Sequence, residues 1–423
     1  MRLDHTCTRP LTSPLHSGLS NQTLAFGGAP LLRQLAPQTP VHSILTLPLA
    51  RFLLVSGRAV LVCRPDGDRG SSSRRGQLAW VDGAALARVG IQLDGPERPS
   101  PEAPEGEVAQ PIPLRDPLFK GPGSACLSVC YLGVAAAAEE DESTGAGAPV
   151  SEPIPMLPSG PLFSLDVSVL DASALDLSAL HPSARLISLR AALSTLDPKS
   201  MTVAGRAVAL AQWHAGQAFC PRCGARTVSV SGGSRRACLS AASPPHTLYP
   251  RTDPVAIALV ESADASHALL GRSRGMPAGT LTCLAGFVEQ GESAERAVAR
   301  EVREEAGILV DRVQILGTQA WPMGRGGGCE LMLGCLARAR ADSALVVDPE
   351  EMEEVRWVPR EDVAKALGQA SSRASPFMGG QGDGSVPFYP PPPTAMAHQL
   401  IRAWAEMDAS LGWGGVGGWE AKM

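Results

Sequence analysis

The chain has 423 residues, 44% of them hydrophobic and 19% charged, which excludes wholesale disorder and leaves room for two or three packed units. Its formal charge of −5 excludes a nucleic-acid coat or a binder of anionic membranes. Aromatic residues are only 4%, whereas 44 glycines and 37 prolines make up about a fifth of the chain, so loops, linkers and tails must be extensive.

Residues 1–24 are rich in Ser and Thr, with Arg2 and Arg9 against the single acid Asp4. This reads either as a weak organelle-targeting leader or as a disordered terminus. No continuous apolar core of a secretory signal is present there. The longest apolar run, Ser43 to Cys63, is broken by Pro48, Arg51, Gly57 and Arg58, so no membrane span is predicted. Over 25–215 a diluted α+β pattern is expected, with strands at Phe52–Val55, Ala59–Cys63 and Leu78–Val81. Two disordered loops follow: 95–117, which holds seven prolines, and 135–158, acidic at Glu139, Glu140, Asp141 and Glu142. Leu170–Leu180 mixes Ala and Leu without a clear period, and Ala204–His214 is a better helix.

Ten cysteines in a chain this long do not read as a disulfide scaffold, which fits a reducing compartment. Only Cys220-Pro-Arg-Cys223 has metal or redox spacing. From Tyr249 the pattern sharpens. Val255–Val260 reads as a buried strand with Ala268–Leu270 as its hairpin partner. Ser293–Ala306 reads as a helix with Ala297, Val298 and Val302 on its apolar side and Gly307 just past its end. Further strands are predicted at Val313–Leu316, Leu331–Ala337 and Val355–Val358. A Gly/Ser/Pro-rich loop over 368–393, an amphipathic helix Met396–Met407 and a glycine-rich flexible tail over 409–423 complete the chain.

The stretch that carries chemistry is Gly286-Phe-Val-Glu-Gln-Gly-Glu292 followed by Arg300-Glu301-Val302-Arg303-Glu304-Glu305-Ala306-Gly307-Ile308. On a helix, Glu301, Glu304 and Glu305 stand at i, i+3 and i+4 on one face. Like charges at that spacing cost about 0.2–0.5 kcal/mol per pair. Such a run is either a solvated face or a site whose repulsion a hard divalent cation relieves; Mg²⁺ held by a few carboxylates plus substrate phosphates fits the second.

This stretch fills every constrained position of the Nudix box, G-x5-E-x7-R-E-U-x-E-E-x-G-U, where U is aliphatic, and so resembles the Nudix hydrolase superfamily. The resemblance implies an α+β chain ending in a Nudix α/β/α sandwich over 249–408. It also implies hydrolysis of a nucleoside diphosphate linked to another moiety, with Mg²⁺ or Mn²⁺. It carries metal ligation to Glu301, Glu305 and the Ala285 carbonyl, with Glu304 assisting and Glu292 pairing with Arg300 to brace loop against helix. The proton of the attacking water is not assigned to one glutamate.

Three further segments resemble the NADH pyrophosphatase branch. They are Tyr249-Pro-Arg-Thr-Asp-Pro254, Thr318-Gln319-Ala320-Trp321-Pro322-Met323-Gly324, and Pro391-Pro-Pro-Thr-Ala-Met-Ala397-His-Gln-Leu400. The second is closest to the plant-type variant, and Leu24–Pro30 resembles the branch's opening segment. On this resemblance Tyr249, Gln319, Ala320, Trp321, Pro322 and Ala397 line the dinucleotide site, and Glu351 of Asp348-Pro-Glu-Glu351 adds a metal ligand. Trp321 either stacks on nicotinamide or adenine or is an ordinary buried aromatic. Departures at Ala320, Met323 and Gly324 leave the choice between NADH and NADPH open, and Arg325 is the candidate partner for a 2′-phosphate.

Upstream, Cys220, Cys223 and Cys238 have the spacing of a zinc ribbon over 216–248, but Ala241 and Ser243 stand where a fourth cysteine is expected. His246 could complete a structural Cys3His zinc site; a metal-free knuckle is the alternative. The readings therefore are cleavage of NAD(P)H or NAD⁺ to AMP, or its 2′-phosphate, and nicotinamide mononucleotide; removal of NAD caps from RNA by the same chemistry; or a non-catalytic Nudix binding module. The resemblance also implies a homodimer. Ala421-Lys422-Met423 resembles a relaxed peroxisomal signal, while the leader points to a chloroplast or mitochondrion.

Overall fold

A computed structural model describes residues 32–33, 49–64, 76–93, 119–120, 126–135, 158, 160–170, 175–240, 246–325, 328–369, 375–378, 380 and 382–407. The expected leader, the opening segment Leu24–Pro30, the loop 95–117, most of the loop 135–158 and the tail 409–423 lie outside these residues.

The first sheet is built from β1 (Arg51–Ser56), β2 (Ala59–Cys63), β3 (Cys126–Ala135), β4 (Gly160–Asp166) and β5 (Arg185–Ser188), with short two-residue strands at its edges. The order is β5-β2-β1-β4-β3, and only β1 and β4 run parallel among these. One helix, α1 (Pro198–Gly216), covers a face. Its start is set by Asp197, whose carboxylate accepts the Lys199 and Ser200 amides at 3.0 Å, with Pro198 in the first turn where no donor is needed. Met201, Ala204, Val208 and Ala211 then recur on one side and pack onto Phe52, Leu54, Leu127 and Phe163 of the sheet core. The helix is longer than the predicted 204–214, because its cap and its Ser200 and Met201 contacts lie N-terminal to the apolar run. Among the described residues of the mixed stretch Leu170–Leu180, Leu177–Leu180 is helical.

A three-stranded sheet follows: β6 (Thr227–Val230), β7 (Arg235–Cys238) and β8 (Thr247–Leu248). It sits on the first sheet, with the Tyr131 amide donating to the Gly232 carbonyl at 2.8 Å. Gly233 has φ +79° and lies so close to Cys130 that a Cβ would stand 2.7 Å from its sulfur. Only glycine fits both constraints.

The third sheet comprises β9 (Thr252–Glu261), β10 (His267–Ser273), β11 (Leu284–Phe287), β12 (Val310–Trp321), β13 (Cys329–Ala339) and β14 (Met352–Pro359). The order is β12-β13-β9-β10-β14, with β11 also on β9. The central strands β9 and β13 run parallel, and both are buried on two faces, which accounts for the unbroken apolar run in each. On one face Ala256, Ala258, Val260, Cys335 and Ala337 meet α2 (Ala294–Ala306). On the other, Ile257, Leu259 and Leu336 meet α3 (Arg360–Gln369) and α4 (Met396–Glu406). Each fully buried Leu there contributes about 1.5–3 kcal/mol. The result is the α/β/α sandwich expected from the box.

Two elements depart most from expectation. The strand predicted at Val313–Leu316 runs from Val310 to Trp321, carried past Gly317 by two register irregularities against β13. Helix α3 was not expected at all, because only Val363 and Ala366 of its ten residues are buried. The last helix is fixed at its C-terminal end. Glu261, 2% exposed, accepts two bonds from Arg338 at 2.7 and 2.9 Å and one from the Trp404 indole at 3.1 Å. The Arg360 guanidinium lies 3.9 Å over the Trp404 ring.

Candidate functional site

The acidic site begins with how α2 is started and stopped. The Ser293 hydroxyl accepts the Arg296 amide at 3.4 Å, and Gly307 closes the helix in the left-handed region at φ 69°. Both ends fixed, the helix presents Glu301 and Glu305 toward β11 and Glu304 outward, with 54% of the Glu304 side chain exposed. Gly286 of β11 makes this approach possible. A Cβ there would stand 1.8 Å from the Glu301 carboxyl carbon, so the carboxylate lies directly on the backbone where any other residue would collide.

Arg300 ties loop to helix. Its Nε and Nη2 donate to the two oxygens of Glu292 at 3.1 and 2.9 Å. Nη2 also reaches the Phe287 carbonyl at 2.8 Å, while Nη1 reaches Glu301 at 2.7 Å and Glu304 at 3.0 Å. These contacts use all five guanidinium donors. Hydrogen bonding from Arg300 holds Glu292 below the usual carboxylate range, and Glu292 raises Arg300 in turn.

Glu305 is in a different position. It is 5% exposed, and its Oε2 has no hydrogen-bond partner among the described residues. Burial, with Glu301 and Glu351 nearby, pushes its carboxyl up to about 8, against the opposing pull of Arg325 and the Ala285 backbone. Burial also raises Glu301, which Arg300 opposes. Glu351 arrives on the turn 348–351, which is docked by the Asp348 amide on the Glu305 carbonyl at 3.2 Å. Arg274 secures the same turn, donating its amide to the Glu351 carbonyl at 2.9 Å and its guanidinium to the Pro349 carbonyl at 2.7 Å. The structure thus brings together Ala285, Glu292, Arg300, Glu301, Glu304, Glu305 and Glu351. An orphaned buried carboxylate oxygen among mutually repelling carboxylates fits a hard divalent cation with oxygen ligands.

The residues expected around a dinucleotide are spread more widely. Tyr249 stands 64% exposed ahead of β9. Gln319 is 1% exposed and both ends of its carboxamide bond backbone, the nitrogen to the Thr394 carbonyl at 2.9 Å and the oxygen to the Met396 amide at 2.7 Å. That side chain therefore fastens the start of α4 to β12. Ala397 is 5% exposed and its carbonyl accepts from the Cys283 thiol. Ala320, Trp321 and Met323 are partly buried against the core of the first sheet, and Pro322 is buried. Two charged residues at the tip of the β12–β13 hairpin carried less weight in the sequence than they have here: Glu330, 6% exposed, and Arg325, whose charge reaches Glu305.

The second cluster is Cys220, Cys223, Cys238 and His246, whose ligand atoms all lie within 4.8 Å of one another. Cys223 and Cys238 sulfurs are 3.4 Å apart, and Cys220 Sγ is 3.5 Å from His246 Nδ1. Sulfurs around zinc at about 2.3 Å would be about 3.8 Å apart, whereas a disulfide needs about 2.05 Å. All three cysteines are free thiols. The Cys220 amide bonds the Ala225 carbonyl, the Gly224 amide bonds the Cys220 carbonyl, both at 2.8 Å, and Gly224 has φ +72°, so a tight turn presents the first pair. Hydrogen bonding between Cys238 and the Ser240 hydroxyl, with the Ser240 amide donating to the sulfur, lowers the Cys238 thiol to about 7. A compact set of soft donors fits zinc.

Comparison with known proteins agrees with this geometry. The NUDIX domain profile matches residues 251–378, and the chain carries a Nudix domain there. The "NAD-capped RNA hydrolase NUDT12" of Homo sapiens is 40% identical over 225 residues, covering 52% of this chain and 45% of that protein. The "NAD(P)H pyrophosphatase NUDT13, mitochondrial" of Homo sapiens is 37% identical over 223 residues, covering 52% and 59%. "Nudix hydrolase 19, chloroplastic" of Arabidopsis thaliana is 37% identical over 246 residues, covering 52% and 56%. The chain spans about half the length of the curated relatives it matches.

Proposed function

We propose that this chain is a Mg²⁺- or Mn²⁺-dependent hydrolase that cleaves the pyrophosphate bond of NADH, and of NADPH and NAD⁺, to give AMP or its 2′-phosphate and the nicotinamide mononucleotide. The observation that carries this reading is Glu305, a carboxylate with one oxygen unpartnered among the described residues, pushed up by burial and then by Glu301 and Glu351. A retired site or a pure binding module has no need of that costly arrangement. Glu301, Glu305, Glu351 and the Ala285 carbonyl would hold the cation, which when bound neutralises pyrophosphate charge and activates a water. Arg300 positions Glu301 and Glu304 while Glu292 fixes Arg300 itself. Glu304, on the open side of the helix, faces the space where a phosphate and water would enter. Tyr249, Trp321, Pro322 and Ala397 are proposed to border the dinucleotide. In the ribbon, Cys220, Cys223, Cys238 and His246 would hold a structural Zn²⁺ with no open position for chemistry.

A second reading, removal of NAD caps from RNA, is favoured by the printed name of one relative and uses the same bond cleavage. Assembly as a homodimer is part of the proposal and is read by light scattering. The test is hydrolysis of NADH, NADPH and NAD-capped RNA with Mg²⁺, wild type beside Glu304→Gln. Turnover by the wild type that the variant loses supports the reading, the preferred substrate separates its two forms, and no turnover of any of the three sinks both.

A further inference from the structure

Two arginines stand beside the acidic site, and they differ in what they have left to give. Arg300 has spent all five donors on Glu292, Glu301, Glu304 and Phe287. Arg325 has spent none of its guanidinium donors on any described residue, although its charge is close enough to Glu305 to act on that carboxyl. It is also exposed, at the tip of the β12–β13 hairpin. A cation that acts on the buried Glu305, with no guanidinium hydrogen bond to any described residue, is available to an anion that arrives there.

The hairpin tip is held, and the strand register says where. Met332 pairs with Val255, which pairs with Phe287 at the mouth of the loop preceding α2. Glu330 pairs with Asp253, two positions further toward that same end of the sheet. The tip therefore flanks the Gly286–Glu292 loop. Trp321 pairs with Glu330 across the hairpin, and the Gly324 amide bonds the Gly328 carbonyl at 3.1 Å. Beneath this turn lies Glu330, 6% exposed, whose Oε1 accepts the Arg325 amide at 2.8 Å. Gly324 sits on the same carboxylate, so that a Cβ would stand 2.7 Å from it. A buried carboxylate thus fixes the backbone at Arg325 while its guanidinium engages none of the described residues.

We infer that Arg325 binds the pyrophosphate of the substrate and stabilises the charge that develops as the bridging bond breaks, and that Glu330 positions it. This rests on the function proposed above and deepens it. A guanidinium fork matches phosphate oxygens bidentately, and its value rises in a site that excludes water. The geometry also separates this role from recognition of a 2′-phosphate, the assignment open in the sequence. Arg325 acts on Glu305, one of the carboxylates that would hold the cation where the pyrophosphate must lie, whereas a 2′-phosphate hangs from the ribose several bonds away.

The experiment compares wild type, Arg325→Ala, Arg325→Lys, Glu330→Ala and Glu330→Gln of the full chain on NADH and NADPH, with thermal melts to exclude misfolding. Arg325→Ala is expected to lower kcat/KM about 10²-fold on both substrates in parallel, as loss of one charge-stabilising donor does. Lysine restores charge but not the fork and recovers part of the loss. Glu330→Ala lowers kcat, and Glu330→Gln, which keeps an acceptor for the Arg325 amide, restores it. An unchanged kcat/KM in Arg325→Ala overturns the inference, and so does a loss confined to NADPH. If the wild type cleaves neither dinucleotide, the proposed function fails separately. Calorimetric titration with inorganic pyrophosphate and Mg²⁺ then still decides: affinity weakened in Arg325→Ala supports the anion site, and equal affinity overturns it.

Discussion

The acidic site on α2, where Glu301, Glu305 and Glu351 act on one another's charge, and the cysteine–histidine cluster of the small sheet, where four ligand atoms converge, are built oppositely. In the cluster the donors are free thiols and an imidazole within 4.8 Å, presented by tight backbone turns and closed on themselves. The four donors are turned on one another, with Cys220 and Cys238 buried and Cys223 exposed. In the acidic site Glu305 is buried with an oxygen unpartnered among the described residues, and Glu301 and Glu351 raise it further. One side stays open, marked by Glu304 at 54% exposure and by Arg325. Stability explains the first arrangement and works against the second. The contrast separates a scaffold from a reaction centre using burial and charge alone.

The sharpest way to break the comparison is Glu305→Gln. If the site sacrifices stability for chemistry, the variant loses activity by at least about 10³-fold, as expected when a metal ligand and its charge are removed. The metal-free protein should at the same time gain about 1–3 kcal/mol, because a carboxyl that must be protonated to stay buried beside two others is replaced by a neutral amide of the same shape. Paired assays and urea melts check this, and added Mg²⁺ should raise the Tm of the wild type but not of the variant. A variant that loses both stability and activity would mean that Glu305 is bracing the fold.

The cluster should answer in the reverse sense. Cys220→Ser is expected to release one zinc per chain and lower Tm by about 5–10 °C while kcat stays within about threefold. The second sheet's contacts to Cys130 and Tyr131 carry the loss into the first sheet. His246→Cys should keep the metal, and His246→Ala should lose it. Metal analysis beside melts reads both outcomes. A Cys220→Ser chain that keeps its Tm would make the cluster a metal-free knuckle.

How much of this was legible in the sequence follows from how local each feature is. Glu301, Glu304, Glu305, Ser293 and Gly307 belong to one helix and its caps, so spacing alone orders them along it, although Glu304 turns outward where Glu301 and Glu305 face β11. Gly286 is legible as a required glycine, but its reason, contact with the Glu301 carboxyl, needs β11 laid beside α2. His246 is suggested by spacing to Cys238, and its convergence with Cys220 depends on β7 and β8 pairing. Helix α3 escaped because its two buried residues, Val363 and Ala366, make too narrow an apolar stripe. Gln319 illustrates the opposite error of emphasis: its motif suggests ligand contact, while its carboxamide is spent on the backbone at Thr394 and Met396. The pairing of Arg325 with Glu330 was invisible because five residues of glycine-rich text give no period, and only closure of the hairpin brings them together.

The smallest effect lies at the seam between the two sheets, and it tests whether the cluster is a scaffold for its neighbour. His214 of α1 is 6% exposed, and its Nε2 is 2.8 Å from the Gly233 carbonyl. Its Nδ1 is 2.7 Å from Arg236, which can only donate, so Nδ1 accepts and Nε2 carries the proton. The ring is therefore neutral in the fold, and burial first, with Arg236 adding to it, lowers its pKa to about 4. The unfolded chain protonates its histidine near 6.5. Between these values the unfolded state binds the extra proton, so the contribution is complete above pH 6.5 and is lost as pH falls toward 4. At pH 5 the loss should be about 2 kcal/mol relative to pH 7. Urea midpoints at the two pH values measure it, and His214→Gln should flatten that part of the slope. If the slope survives the substitution, the pH sensitivity belongs to other groups and the seam is looser than its bond lengths imply.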